Sequence, residues 1–154
     1  ELALDILSRR SASRVELLQK LRDKGVAKSH AEDAAAAMRS LGYLDDARYA
    51  DELCEYYFGV KLYGARRVKA ELSRRGIDRD TADDALARFD TDPEARAKAF
   101  VRRRFGTVEG LGREGLKKIY DTLLRNGYSY GQASRALAAC AGDETMELDD
   151  GEYC

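Results

Sequence analysis

The sequence predicts an all-α protein built from three tandem three-helix repeats. Two observations carry this prediction. Gly25, Gly76 and Gly127 stand 51 residues apart in both intervals, and a fixed period near 50 residues is typical of arrays in which neighbouring repeats share a core. Apolar residues also recur at helical spacing in each repeat, whereas no stretch shows the alternation of period two that a half-buried strand requires.

The repeat extends beyond the glycines. An apolar residue follows each glycine, and each glycine ends an apolar helical pattern, which is the usual place for a left-handed residue after a helix. We predict repeats over residues 1–44, 45–90 and 91–141, followed by an acidic, disordered tail over residues 142–154. The other apolar positions that match at the same spacing are Leu17, Val68 and Ile119, then Leu21, Leu72 and Leu123, then Ala31, Ala82 and Ala133, then Ala34, Ala85 and Ala136.

The first repeat is predicted to contain three helices. Residues 1–10 have apolar side chains at helical spacing. Ser13 and Glu16 have the spacing of a capping box at the start of a second helix, which Gly25 ends. The third helix, residues 29–41, is rich in alanine, the strongest helix former.

The second repeat opens with a helix that Asp45 or Asp46 is expected to cap. Gly64 precedes the middle helix of this repeat, and Gly76 ends it. The apolar stripe of the opening helix is predicted to contain Tyr49, Leu53, Tyr56 and Tyr57.

The third repeat opens with a helix for which Asp92 is the expected cap. Pro93, the only proline of the chain, then takes the first helical position, and Glu94 lies in the first turn. A glycine-rich connection over residues 106–115 follows this helix. Irregularity of this kind is expected at a terminal repeat.

Composition places the chain among globular proteins, because 44% of its residues are hydrophobic. The net charge of -1 hides an asymmetry: residues 143–154 contain six acidic residues and no basic one, which leaves 22 acidic and 27 basic residues in the body, a net +5. No apolar run approaches the roughly 18 residues needed to span a bilayer. The cysteines at positions 54, 140 and 154 lack a metal-binding spacing. We expect a cytoplasmic protein without membrane association.

No catalytic set is evident in the sequence. His30 is the only histidine, and the glycines of residues 106–115 lack the Lys-Ser or Lys-Thr pair of a phosphate-binding loop. Cys54 shares an apolar stripe with Leu53, as a buried small hydrophobe does. The acidic doublets that begin at positions 45, 83 and 149 do not converge on one ion, because adjacent helical residues face different directions. We therefore expect a binding protein with no catalytic residue, cofactor or metal ion.

Basic residues concentrate in the second and third repeats. An outward basic surface suits either phosphate groups or an acidic protein surface, while a solvated face without a partner is the alternative for any single arginine. The tyrosines could stack on bases, although several fall on apolar stripes. The candidate partner-contacting residues are Arg66, Arg67, Lys69, Arg74, Arg75, Arg102, Arg103, Arg104, Lys117 and Lys118.

In the segment "ELSRRGI", residues 71–77, we expect the glycine and the two arginines to have different roles. Its glycine is common to all three repeats, so we expect Gly76 to shape the end of a helix. The doubled charge of Arg74 and Arg75 is peculiar to the middle repeat, since the corresponding pairs are Asp-Lys in the first and Arg-Asn in the third. We expect these two arginines to contact a partner.

Three segments follow one another in the chain: "SASRVELLQKLRDKG" (11–25), "LGYLDDARYADEL" (41–53) and "YGARRVKAELSRRGI" (63–77). In this order they resemble the signature of the RecX family of bacterial regulatory proteins, and the resemblance covers roughly residues 1–140. Its most specific part is the Leu-Asp-Asp-x-x-Tyr-Ala run, followed by a glycine, basic residues, Glu-Leu and Gly-Ile. The structural motif residues are Asp45, Asp46, Tyr49, Gly64, Gly25, Gly76 and Gly127.

The resemblance implies an elongated, curved array that lodges in the groove of the RecA recombinase filament on DNA and inhibits its ATPase and strand exchange. We expect a monomer that binds DNA weakly and in a salt-sensitive way. A stand-alone DNA-binding helical repeat protein that acts without a recombinase is the alternative. One departure from the family is Arg125-Asn126-Gly127-Tyr128-Ser129, where basic residues followed by Gly-Phe-Ser are common, so the charge at this place is reduced.

Overall fold

A computed structural model describes residues 1–142, so the predicted acidic tail, with its Asp149 and Asp150, lies outside the described residues except for Gly142. Residues 1–142 contain no strand, and the all-α prediction is confirmed. The helices form three successive sets of three. Their bounds are α1 Leu2–Arg9, α2 Arg14–Asp23, α3 Lys28–Ser40, α4 Asp46–Cys54, α5 Ala65–Arg74, α6 Arg79–Phe89, α7 Pro93–Phe105, α8 Arg113–Arg125 and α9 Tyr130–Ala141, with a π-helical segment, Glu55–Val60, directly after α4.

The predicted helix starts are confirmed by their caps. Ser13 Oγ accepts a hydrogen bond from the Glu16 N–H at 3.1 Å, and Asp92 Oδ1 accepts one from the Ala95 N–H at 3.1 Å. Asp45 caps α4, because its Oδ1 accepts from the Arg48 N–H at 3.1 Å. Each cap satisfies a backbone donor that the first turn of a helix leaves without an intrahelical partner.

Two local expectations are corrected by the structure. Glu16 does not complete a capping box with Ser13, because its carboxylate accepts a hydrogen bond from the Tyr49 hydroxyl at 3.2 Å. Tyr56 does not belong to the buried stripe and is 44% exposed. The chain turns π-helical from Glu55, and the wider turn of a π-helix rotates the following residues away from the face that an α-helix would continue.

The described chain packs as two compact units. The first comprises Glu1–Cys54 and Lys69–Ala87, and the second comprises Glu55–Val68 and the described residues from Arg88 onward. These units divide the chain differently from the predicted repeat boundaries, which stay a prediction. In the first unit, buried side chains of α1, α2 and α3 form a core, and in the second unit those of α7, α8 and α9 do.

Candidate partner-binding surface

The three repeat glycines end the middle helices α2, α5 and α8 in the same way. Their φ values are +85°, +83° and +97°. At each, the glycine N–H donates to the carbonyl three residues earlier, and the next residue's N–H donates to the carbonyl five residues earlier, at distances of 2.9 to 3.2 Å. We call residues 24–26, 75–77 and 126–128 the first, second and third joints. Glycine is required at the centre of each joint because a side chain strains this left-handed backbone.

The second joint docks on the start of α2 within the first unit. Ser13 Oγ donates a hydrogen bond to the Arg75 carbonyl. A Cβ atom placed on Gly76 would lie 2.6 Å from Val15 Cβ, so the two segments are in close contact. The Tyr49 hydroxyl lies between two charges: it accepts from Arg75 Nη1 at 3.3 Å and donates to Glu16 Oε1 at 3.2 Å.

The third joint docks on the start of α5 within the second unit. The Gly64 N–H donates to the Asn126 carbonyl at 2.7 Å, and the Arg66 N–H donates to the Gly127 carbonyl at 3.3 Å. The side chains add two more bonds, from Arg67 Nη1 to Asn126 Oδ1 and from Arg66 Nη2 to the carbonyl oxygen of Leu124 at 3.1 Å.

The second and third joints are equivalent by position as well as by contact. Ser13 and Gly64 stand 51 residues apart, as do Arg75 and Asn126. In both cases a donor at the start of one middle helix binds the carbonyl that precedes the joint glycine of the next repeat. Arg67 and Arg75 therefore each have an acceptor inside the protein, and their predicted contact with a partner stays a prediction.

Asp46 also links elements of the first unit. Its Oδ1 accepts a hydrogen bond from the Arg14 N–H at 2.9 Å, at the first residue of α2. Burial raises the pKa of Asp46, and the neighbouring carboxylate of Asp78 acts in the same direction, whereas the bond from Arg14 opposes the shift. The Leu-Asp-Asp-x-x-Tyr-Ala run thus supplies a cap to α4 through its first aspartate and a partner for α2 through its second.

Arg103 binds the backbone at the end of the π-helical segment. Its Nη1 donates to the Val60 carbonyl at 2.7 Å, and its Nη2 donates to the Lys61 carbonyl at 3.1 Å. The next carbonyl, that of Leu62, accepts from the Tyr128 hydroxyl at 2.6 Å. Leu62 has a φ of +56°, a conformation that costs a non-glycine residue about 1 to 2 kcal/mol. These side-chain donors hold the strained segment in place.

Arg96 is a buried arginine whose role the sequence did not reveal. Its Nη2 binds Asp90 Oδ1 at 2.6 Å, and its Nε donates to the Tyr63 carbonyl at 2.9 Å. The guanidinium carbon lies 4.2 Å from the ring centre of Phe58 and 5.7 Å from that of Tyr128. The sequence feature that indicates its burial is its position beside Ala97 and four residues before Phe100, on the apolar face of α7.

The remaining candidate cations are more open to solvent. Arg74 pairs with Glu71 at 3.2 Å but keeps 73% of its side chain exposed, and Lys69 pairs with Asp83 at 2.7 Å. The first unit thus contains Lys69, Arg74 and Arg75, and the second contains all the others. Those with exposed side chains in the second unit are Arg66, Arg102, Arg103, Arg104, Lys117 and Lys118.

The raised pKa of Tyr128 leads us to expect a loss of stability at alkaline pH. Burial raises the pKa of its hydroxyl to about 12 from an ordinary value of 10.0. Between these values the unfolded chain loses a proton that the folded chain keeps, so stability should fall as pH rises, by roughly 2 kcal/mol. Urea unfolding across this range should show a smaller alkaline loss for Tyr128→Phe than for the unmodified protein. Equal losses would contradict this prediction.

Within residues 1–142, no group of three or more His, Cys, Asp or Glu side chains could hold a metal ion. Across that same range, every helix is too short or too polar to cross a membrane.

The fold and its joints define a class of protein, the tandem three-helix repeat proteins, in which the joint after one middle helix contacts the start of the preceding middle helix. The family model described as "RecX, second three-helix domain" matches residues 45–86. Regulatory protein RecX of Stenotrophomonas maltophilia (strain R551-3) is 34% identical over 134 residues, which cover 87% of this chain and 82% of that protein. Regulatory protein RecX of Vibrio vulnificus (strain CMCP6) is 33% identical over 136 residues, 88% of each chain. The chain belongs to the RecX family, and the predicted resemblance is confirmed.

Solved structures share the fold. The crystal structure of RecX from Lactobacillus salivarius superposes with a TM-score of 0.77 at 24% identity, covering 90% of this chain and 92% of that one. A second crystal structure, of a regulatory protein RecX, gives a TM-score of 0.72 at 24% identity and covers 84% of this chain and 64% of that one. The repeat architecture predicted from the glycine period is therefore that of the family.

Proposed function

We propose that this chain is a non-enzymatic regulator that binds the RecA filament on DNA and lowers its ATPase and strand-exchange activities. The observation that carries the proposal is the similarity, over 87% of the chain, to proteins named regulatory protein RecX. A regulator of this kind acts by occupancy. It stabilises whichever filament state it binds best, or it fills the space that a second DNA must enter, so it needs no chemistry of its own.

The candidate cations differ in whether their side chains bind an acceptor within the protein or are exposed to solvent. Arg67, Arg75 and Arg103 bind acceptors within their own unit, so removing them would disturb the fold as well as any interface. Arg102 and Arg104, in the last turn of α7, have exposed side chains. Exposed guanidinium groups suit phosphates and carboxylates alike, and these two are therefore the sharper test of partner contact.

The assay for the proposal is a titration of this protein into RecA on single-stranded DNA. ATP hydrolysis and strand exchange should both decline as the protein is added, and should saturate once the filament is occupied. Unchanged rates at one molecule per RecA protomer would contradict the proposal.

A titration of DNA with this protein in the absence of RecA tests the alternative, a stand-alone DNA-binding protein. The logarithm of the DNA-binding constant should then fall only weakly with the logarithm of salt, whereas a slope of several phosphates, at about 0.9 per phosphate, would favour a stand-alone DNA-binding protein.

Replacing both Arg102 and Arg104 with alanine is expected to weaken inhibition of RecA about tenfold, the equivalent of 1.4 kcal/mol of lost interaction. The matched control is Arg9→Ala with Arg10→Ala, which removes two exposed arginines from the end of α1. The control should inhibit like the unmodified protein. Both variants should unfold at nearly the same urea concentration as the parent, because exposed substitutions change stability little. Equal inhibition by both variants would remove Arg102 and Arg104 from the interface.

A further inference from the structure

The last turn of α9 lies beside the C-terminal half of α7. Near the start of α7, Glu94 pairs with Arg135 of α9 at 3.5 Å. Further along α9, burial raises the pKa of the Cys140 thiol, whereas the positive charges of Arg102 and Lys98 oppose this shift, so both cations lie near Cys140. The two helices therefore run in the same direction, and the chain leaves α9 next to the cations of α7.

The last turn of α7 carries more positive charge than its surroundings within residues 1–142 offset. Its three arginines are exposed, and within that range neither Arg102 nor Arg104 forms an ion pair. The C-terminal ends of α7 and α9 offset part of this charge, and α9 has no basic residue in its own last turn. Two helix ends correspond to only about one negative charge, however, so most of the positive charge remains.

The acidic segment, residues 143–154, begins directly after Gly142, the residue that caps α9. A chain of this length can span up to about 40 Å, whereas α7 is only about 20 Å long. Because the segment is tethered beside α7, its effective concentration there is on the order of millimolar, which a second copy in dilute solution cannot match. Its acidic residues are Asp143, Glu144, Glu147, Asp149, Asp150 and Glu152.

We propose that the acidic segment binds Lys98, Arg102 and Arg104 of the same chain and covers the surface that the proposed function assigns to the RecA filament. The effect on RecA rests on the proposed function, whereas the contact within the chain does not. A phosphate or a partner's carboxylate must displace the segment, so affinity falls in proportion to the fraction of molecules whose cations are uncovered. Exposed ion pairs are weak and screened by salt, so the segment lowers affinity without abolishing binding.

Carbodiimide coupling tests the contact without RecA, because this reagent joins an amine to a carboxylate that lies against it. Mass spectrometry should find Lys98, and position 102 in Arg102→Lys, joined to residues 143–154 at a yield independent of protein concentration. Replacing Arg102 and Arg104 with glutamate should lower the yield at Lys98 at least about fivefold. The control, Arg9→Glu with Arg10→Glu, should leave the yield unchanged. No coupling, or coupling only between two copies, would overturn the proposed contact.

Competition is measured with a single-stranded oligonucleotide as the probe, at low salt. In the neutralised variant, asparagine or glutamine replaces each of the six acidic residues of the segment. Neutralisation should strengthen binding about tenfold. Most of this gain should disappear when Arg102→Ala and Arg104→Ala are also present, and it should persist with Arg9→Ala and Arg10→Ala. A gain of equal size in both arginine backgrounds would mean that the segment acts through net charge alone, which would overturn the proposed contact.

The RecA assay separates this contact from the proposed function. The neutralised variant should inhibit RecA at an about tenfold lower concentration than the parent protein, because its cations are uncovered. Equal inhibition by the two proteins would overturn the covering of the surface. If the parent leaves RecA unaffected while the coupling to residues 143–154 is found, the proposed function fails and the contact within the chain stands. If the parent inhibits RecA and no coupling is found, the contact fails alone.

Discussion

Alanine at Gly127 should lower the free energy of unfolding by about 3 to 4 kcal/mol, the combined cost of a strained backbone and an overpacked contact. The backbone has a φ of +97°, and a Cβ atom would lie 2.4 Å from the Arg67 nitrogen and 2.6 Å from Arg67 Cβ. Neither neighbour is the flexible end of a side chain. The joint would therefore have to separate from the start of α5, which also removes the hydrogen bond from Gly64 to the Asn126 carbonyl.

Two other glycines divide this effect into its parts. Gly25→Ala tests the backbone alone, because its φ is +85° and a Cβ atom would meet nothing within 4 Å; we expect a loss of about 1 kcal/mol. Gly64→Ala tests the contact, because a Cβ atom there would lie 2.3 Å from the Gly127 carbonyl carbon; we expect about 1 to 3 kcal/mol. Urea midpoints at constant m-value measure all three. Equal losses at Gly25 and Gly127 would contradict the docked joint.

The glycine period made the fold predictable, but it could not show what the joints touch. A helix pattern and its terminating glycine are local signals, which is why the caps at Ser13 and Asp92 could be read directly. The acceptor of Ser13 Oγ is the Arg75 carbonyl, 62 residues away. A backbone carbonyl carries no sequence signal of its own. The periodic sequence thus identified the equivalent positions, while their docking follows only from the packed chain.

The candidate surface was predictable in kind and not in detail. The basic residues of the sequence indicate a cation-rich region. Their positions do not show which guanidinium groups already have an acceptor within the protein. Arg67, Arg75 and Arg103 have one within the protein. The acceptors used by Arg103 are main-chain oxygens at the end of the π-helical segment, and Leu62 takes a positive φ there without a glycine to indicate it. Tertiary contacts imposed that conformation against local preference.

Replacing Arg96 with alanine should cost about 3 to 5 kcal/mol, the usual effect of removing one partner of a buried ion pair. Only 7% of the Arg96 side chain is exposed, and 24% of the Asp90 side chain is. The substitution leaves the Asp90 carboxylate without its partner at 2.6 Å and the Tyr63 carbonyl without its donor at 2.9 Å. It also opens space beside the Phe58 ring, which the guanidinium covers at 4.2 Å.

A second ion pair in the same unit provides the control for this cost. Arg135 lies 3.5 Å from Glu94 and keeps 63% of its side chain exposed, so Arg135→Ala should change stability by less than about 1 kcal/mol. Arg96→Met separates packing from charge, because it fills much of the same volume while still leaving Asp90 without a partner. Adding Asp90→Asn to Arg96→Met should recover part of the loss, since no unpaired carboxylate then remains. Equal stability of the Arg96→Ala and Arg135→Ala proteins in urea would contradict the buried pair. If Arg96→Ala loses stability and Arg96→Met does not, the cost of the alanine substitution comes from packing alone.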